Sequence, residues 1–177
     1  MTIHFADGST IAAGGAFGKV VQVVSHVKTD TSSFSVGSGS KHHDTNFAAS
    51  ITPSSSSNKV MVIIQVNHGT SSNHVASASL MRGSSVINEA RGASSGSRAR
   101  VSISYHGEET MMFTTVPLMF LDSPSTTSST TYSLEWEHNS SSTREQYINR
   151  GEQDNNASGN GAGFRGASSI LLLEIAA

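Results

Sequence analysis

Apolar residues in this chain form short runs, and turn residues separate one run from the next. Tyr132, Leu134 and Trp136 alternate with polar residues, which is the two-residue period of a half-buried strand, so Trp136 is expected in the core. Residues 60–67 are apolar on both faces over most of their length, as expected for a central strand. No stretch of ten or more residues carries a helical stripe. Runs of strand type lie at 19–28, 47–51, 60–67, 75–82, 85–88, 101–105, 111–121, 130–138, 146–149 and 167–176.

These nine or ten predicted strands, with turn signals at short intervals, favour an all-β fold. We expect an antiparallel β-sandwich, jelly-roll-like in type, that covers residues 19–177. Pro117 lies inside the 111–121 run. Because proline cannot donate to a strand ladder, this strand is predicted at a sheet edge or at a bulge. The Gly-rich segment 151–166 is predicted to be a long exposed loop.

Residues 1–18 differ from the rest and are predicted to form an N-terminal docking arm or hairpin. Ile3, Phe5 and Ile11 supply its apolar positions, and Asp7-Gly8 is a tight-turn pair. Docking on another protein and packing on the arm's own domain are equal alternatives. The arm lacks the basic region and apolar stretch of a secretory signal.

Composition narrows the classes of function. Charged residues are 14% of the 177 residues, against roughly 25% in an average domain. The hydrophobic share of 36% predicts a thin core, which subunit contacts would supplement, so a homo-oligomer is expected. There is no Cys, no 18-residue apolar window and no cluster of Lys and Arg. We therefore expect no disulfide, no membrane span and no nucleic-acid partner.

His42, His43 and Asp44 are the strongest metal-site candidate, since imidazole and carboxylate are metal ligands and a subunit axis could gather several copies. Neighbouring residues on a strand point to opposite faces, however, which argues against one shared ion. A solvated loop is the preferred interpretation, and no cofactor is expected. His68 and His74 could face each other across a hairpin and form a pH-sensitive site, with polar loop residues as the simpler alternative.

Catalysis has little support in the sequence. A glycosidase needs two carboxylates flanking a sugar, and the available pairs are Glu108 with Glu109 and Glu135 with Glu137. Surface charges on any strand have the same spacing. No Gly-x-Ser-x-Gly elbow or phosphate-binding loop is present. The chain is therefore predicted not to be an enzyme.

Aromatic and polar residues in or next to the later polar loops suit carbohydrate binding, because a ring stacks on a sugar while Asn and Arg donate hydrogen bonds. These candidates are Tyr147, Asn149, Arg150, Phe164 and Arg165. The alternative, which the sequence favours for Tyr147 and Phe164, is that both rings anchor their loops to the domain.

Several segments also resemble a module of virion structural proteins of the tail-fibre or decoration type, common in marine and cyanobacterial bacteriophages. The resemblance covers residues 18–177 in order. Its segments are GKVVQVV at 18–24, SITPSSSSNKV at 50–60, FLDSP at 120–124, TTY at 130–132, YINR at 147–150 and SSILLLEI at 168–175. It implies a compact β-sandwich on the virion surface, a homotrimer, and contact with other virion proteins of the head or tail. It implies no catalytic residues.

Three functions follow as hypotheses. The first is a short tail-fibre or spike protein that attaches through its arm and binds host-surface glycan through its loops. The second is a capsid decoration or cement protein, which the absence of room for a long fibre shaft favours. The third, a polysaccharide depolymerase, rests only on the carboxylate pairs.

Overall fold

The computed structural model describes residues 2–4, 10–12, 18–71, 74–107, 112–156 and 163–177. Within these ranges the chain forms thirteen β-strands and a single 3-10 turn at Asn88–Ala90, with no α-helix. The strands are β1 Thr2–His4, β2 Thr10–Ala12, β3 Val20–Lys28, β4 Ser32–Val36, β5 His42–Ile51, β6 Lys59–Thr70, β7 His74–Arg82, β8 Ser85–Val86, β9 Ile103–Gly107, β10 Thr114–Asp122, β11 Thr130–His138, β12 Arg144–Ile148 and β13 Ser168–Ile175.

Eleven of these strands form two antiparallel sheets. In the six-stranded sheet, β6 is central, with β10 on one side and β13 and β12 end to end on the other; β3 lies outside β13, and β4 lies outside β12. In the five-stranded sheet the order is β5-β11-β7, and β8 and β9 both pair with the far side of β7. The all-β antiparallel sandwich that the sequence predicts is confirmed.

The strand pairing follows the jelly-roll scheme. If β4, β8 and β12 are set aside, eight strands remain, and they pair first with last, second with seventh, third with sixth and fourth with fifth. These pairs are β3·β13, β5·β11, β6·β10 and β7·β9. Folding such a ribbon of paired strands over itself gives two facing four-stranded sheets, which is the double-sheet jelly roll.

The core lies between the sheets and is built from the inward residues of both. Trp136, Tyr132 and Phe47 are the largest fully buried side chains. The prediction that Trp136 belongs to the core is confirmed. The central strand β6 contributes four alternate valine and isoleucine residues to the same cluster, Val60, Val62, Ile64 and Val66. Alternation along the strands therefore separates inward from outward side chains throughout the sandwich.

Several predicted boundaries were wrong. Strand β4 was not predicted, because in its sequence SSFSV only Phe34 and Val36 are apolar. The 47–51 strand begins earlier, at His42, so the predicted solvated loop at His42–Asp44 is instead part of β5. The 60–67 strand continues through His68 to Thr70. The edge position predicted for Pro117 is confirmed, since β10 pairs only with β6.

The N-terminal region contains a small separate sheet. Strands β1 and β2 pair antiparallel, with Ile3 opposite Ile11. Phe5 and the predicted Asp7-Gly8 turn lie outside the described residues. The division into an arm at 1–18 and a sandwich at 19–177 stays a prediction.

Candidate functional site

The most distinctive surface of the sandwich is the outward side of the six-stranded sheet. Strands β3, β13, β6 and β10 lie side by side there, and their outward residues form rows across the sheet. One row is Val23-Leu173-Met61-Leu121, and the next is Ser25-Leu171-Ile63-Met119. We call these eight residues the outer face. Seven of the eight are apolar.

The outer face is open to solvent at both edges. Met119 is 73% exposed and Val23 is 59% exposed, while the residues of the two inner strands are partly covered by their neighbours. Of the side chains that these four fully described strands point outward, only Lys59 is charged. An apolar patch of this kind on a soluble domain marks an interaction surface.

The outward side of the five-stranded sheet has the opposite character. Its central strand β11 points Thr131, Ser133, Glu135 and Glu137 outward, and β7 points outward Val75, Ser77, Ser79 and Met81, of which the last three are buried. Lys41 Nζ contacts Glu135 Oε1 at 2.9 Å and Glu137 Oε2 at 3.4 Å. The hydrogen bond from Lys41 to Glu135 raises the pKa of Lys41. Among the described residues, the outward side chains of β11 are thus polar, in contrast to the outer face.

The candidate metal ligands do not converge. His42 and Asp44 pair with Trp136 and Leu134 and point inward, while His43 points outward and its Nε2 is hydrogen-bonded to Ser133 Oγ at 2.6 Å. His42 stacks on Phe34, with ring centroids 4.1 Å apart. Asp44 Oδ1 accepts hydrogen bonds from the N–H groups of residues 46 and 47. Within the described ranges no group of three or more His, Cys, Asp or Glu side chains is arranged to hold a metal ion.

His68 is a buried aromatic residue of the core. Its ring lies 3.9 Å from the Trp136 ring and nearly parallel to it, and burial lowers its pKa to about 3. Tyr105 Oη donates to the His68 carbonyl at 2.8 Å. The predicted facing of His68 and His74 across a hairpin is wrong, because β6 and β7 belong to different sheets. A neutral imidazole with so low a pKa is a poor general base near pH 7.

A small cavity opens beside His68. Its volume is about 190 Å³. The lining residues are His68, Gly69, Thr70, Tyr105, His106, Gly107, Met112, Phe113 and Thr114. Among the described lining residues, the titratable side chains are the two histidines and Tyr105.

The predicted glycan-binding residues fall into two groups. Asn149 is fully buried: its Nδ2 donates to the carbonyls of Lys28 and Asp30 at 2.8 and 2.9 Å, and its Oδ1 accepts from Ser168 Oγ at 2.6 Å. All its polar atoms are thus used inside the domain. Tyr147 is also buried, with the Arg150 guanidinium 4.3 Å above its ring.

Phe164 and Arg165 form the exposed group. Phe164 is 62% exposed. Arg165 donates to Asp154 at 2.8 Å and to Thr31 Oγ1 at 3.0 Å, which ties the 163–167 segment to the earlier part of its own loop and to the β3–β4 loop. Among the five candidates, Phe164 is the ring available to a ligand, with Arg165 beside it.

The structure says less about the remaining docking and catalytic candidates. Ile3 and Ile11 are opposite each other in the β1–β2 ladder, and Phe5 lies outside the described residues. Glu108 and Glu109 also lie outside them, while Glu135 and Glu137 share Lys41. No helix in the described part of the chain is long and apolar enough to cross a membrane.

The outer face is the element that the sequence prediction missed. Its signal was present in strands β3, β6 and β13, whose segments VVQVV, VMVII and ILLL are apolar without alternation. One apolar side of such a strand packs against the core, and the other apolar side needs a second contact to cover it.

Comparison with known proteins gives distant likenesses only. No protein-family model matches the chain, and no curated protein matches it. Among solved structures, the chain is similar to a chain of infectious bursal virus-derived T=1 particles, with a TM-score of 0.44, 14% identity, and coverage of 89% of this chain and 37% of that one. It is also similar to the VP2 subviral particle of infectious bursal disease virus, with a TM-score of 0.40, 14% identity, and coverage of 89% and 38%. This chain therefore spans less than two fifths of either.

Proposed function

We propose that this chain is a non-enzymatic structural protein of a bacteriophage particle that acts through protein–protein contact. The observation that carries the proposal is the asymmetry of the sandwich, with an apolar outer face on one sheet and Ser, Thr and Glu on the other. Jelly rolls are a common architecture of viral capsid domains, which supports a virion role. The resemblance of residues 18–177 to a virion module points the same way.

The composition of the outer face suits a permanent contact rather than a transient one. The centre of a permanent interface is depleted in charge and enriched in apolar side chains, including methionine. Met61 and Met119 lie on the outer face, and Lys59, the one charged outward residue of the four strands, lies at its end. In the assembled particle we expect this face to be covered.

The leading form of the proposal is a short tail-fibre or spike protein. In this form the exposed Phe164 stacks on a host-surface sugar, and Arg165 donates hydrogen bonds to it. The test measures how strongly the purified parent and its Phe164→Ala variant bind extracted host polysaccharide. Met112→Ala, at another exposed apolar position, is the matched control. Loss of binding in the first variant alone supports glycan recognition. Equal binding by both variants and the parent rejects Phe164 as a contact.

The alternative form is a capsid decoration or cement protein, and the outer face favours it because lateral contacts between neighbours are what such a protein supplies. Quantitative mass spectrometry of purified particles separates the two forms. A copy number near that of the major capsid protein supports decoration, whereas a small fraction of it supports a tail location. Absence of the protein from particles would reject both forms.

A further inference from the structure

We propose that the outer faces of two copies of this chain pack against each other around a two-fold axis that runs parallel to the strands, between β13 and β6. This inference names the partner of the outer face, and it rests on the proposed function only in taking that face to be covered in the working protein. A half-turn about this axis reverses the strand order β3-β13-β6-β10 in the second copy. Strand β3 of one copy therefore lies over β10 of the other, and β13 lies over β6.

The two-fold arrangement brings a protruding side chain over a short one. Ser25 and Met119 occupy opposite ends of the same row, separated by Leu171 and Ile63. Rotation about the axis keeps each row opposite itself and exchanges its ends. Met119, the most exposed of the large apolar residues, therefore meets Ser25 of the second copy, and the reverse contact forms at the other edge.

The neighbouring rows are compatible with the same arrangement. Val23 meets Leu121 of the second copy in the first row. In the third row, Val27-Ser169-Gln65-Pro117, the polar pair Ser169 and Gln65 meets the same pair in reverse order. Sheets packed face to face cross at about 30°, which leaves the middle row best aligned. The middle row is the one with Ser25 and Met119.

Charge does not oppose the pairing. Lys59 pairs with Ile175 of β13, so the rotation places Lys59 of one copy over Ile175 of the other. The two lysines are thus displaced from each other, and the four strands point no carboxylate outward. A partner with a charged surface would find no complement on this face, whereas a second copy presents the same apolar chemistry.

The size of the face is also adequate. The two rows of the outer face and the rows on either side of them span seven residues; at about 3.3 Å per residue and about 4.8 Å between the four strands, the projected area is on the order of 450 Å², of which the outer face covers about half. Relief of the side chains and contacts at the edges bring the accessible area closer to the roughly 800 Å² per partner of a standard interface.

The first test measures the mass of the purified protein by sedimentation equilibrium from about 1 to 100 µM, a range that covers ordinary self-association. We expect Met119→Lys to halve the mass of the assembly, with self-association weakened roughly 100-fold or more, because each pair would bury two lysines in place of two methionines. Met112→Lys is the matched control, since Met112 is 56% exposed and lies off the outer face. It should leave the mass unchanged.

A second test probes the arrangement itself without adding charge. Ser25→Met alone should weaken pairing through overlap, and Met119→Ser alone should weaken it through an empty space. The double variant exchanges the two side chains and should restore pairing to within a few-fold of the parent. Thermal unfolding checks that each variant folds, which is expected because both positions are exposed in the single chain.

Three results would overturn the inference: a monomeric parent at 100 µM, an assembly mass that Met119→Lys does not change, or a double variant no better than the worse single one. None of them bears on whether the protein is part of a particle, which the copy number decides independently. A protein abundant in particles but monomeric in isolation would keep the proposed function and assign the outer face to a different virion protein.

Discussion

Replacement of Asn149 by alanine should destabilise the domain strongly. The side chain joins the end of β3, the loop after it and the start of β13, through two donated hydrogen bonds and one accepted from Ser168. The backbone at this position has φ of 63°, a left-handed conformation that asparagine adopts more readily than other non-glycine residues. One residue thus combines a conformational role with three buried contacts.

The size of the effect follows from those contacts. Each buried group left without a partner costs about 1–3 kcal/mol, and alanine in the left-handed region costs about 1 kcal/mol more. Partial access of water to the Asp30 carbonyl reduces the sum, so we expect Asn149→Ala to lower the free energy of unfolding by about 3–6 kcal/mol. In a domain of this size each kcal/mol lost lowers the midpoint of thermal unfolding by roughly 2–4 °C, so the midpoint should fall by about 10 °C.

Urea denaturation followed by intrinsic fluorescence measures the change. Asn149→Gly removes the same hydrogen bonds but relieves the backbone, so it should be about 1 kcal/mol more stable than the alanine variant. Asn46→Ala replaces an exposed asparagine of β5 and should change stability by less than about 0.5 kcal/mol. A loss below about 1 kcal/mol in Asn149→Ala would refute the structural role. Unchanged stability with reduced glycan binding would instead support the sequence-based prediction for this residue.

Two further predictions concern close packing and pH. Gly69→Ala should destabilise the domain by more than about 2 kcal/mol in urea denaturation, because the added Cβ would overlap the Arg150 carbonyl oxygen. Gly92→Ala, whose added Cβ would meet open space, should be neutral. Equal effects of the two substitutions would contradict this reasoning. His68 has its pKa lowered by burial from 6.5 to about 3, so the unfolded chain binds more protons between these values and stability should fall as pH decreases through that window. His68→Phe should flatten the slope between pH 6.5 and pH 4.5, and an unchanged slope there would rule out His68 as its source.

A separate acid-labile contribution is expected from Glu174. Burial alone raises the pKa of Glu174, but hydrogen bonds from Asn58 and Ser54 outweigh burial and hold it below 4.5. A lowered carboxyl pKa contributes stability that is fully present above the unfolded value and is lost as pH falls through the folded one. Glu174→Gln should therefore remove pH dependence only below about 4.5, as measured by urea titration at several pH values. A loss of pH dependence confined to higher pH would contradict the assignment of this contribution to Glu174.

The fold class could be predicted because alternation and turn residues are local signals. Tyr132, Leu134 and Trp136 show the period directly, and Pro117 identifies an edge strand without any knowledge of the sheet. The order of strands could not be predicted, because it depends on pairings between distant segments, such as β3 with β13. Nothing in either segment alone specifies the other as its neighbour.

The burial of two candidate residues could not be predicted for a related reason, since polarity does not reveal burial. His68 was interpreted as a polar loop residue and Asn149 as a candidate glycan contact, yet both side chains are fully buried. His68 contacts Trp136, and Asn149 closes the junction of three segments. A buried polar residue is stable only with partners, and those partners come from distant parts of the chain.

The outer face connects composition to function. The chain has few hydrophobic residues for its length, yet it places seven of them in the two exposed rows. Exposed apolar side chains such as Val23 and Met119 add little to the stability of the single chain, because their surface stays in water. Polar residues at these positions would improve solubility at small cost to folding. The free energy available from these residues is realised only when the face is covered, which is what the proposed pairing of two copies would supply.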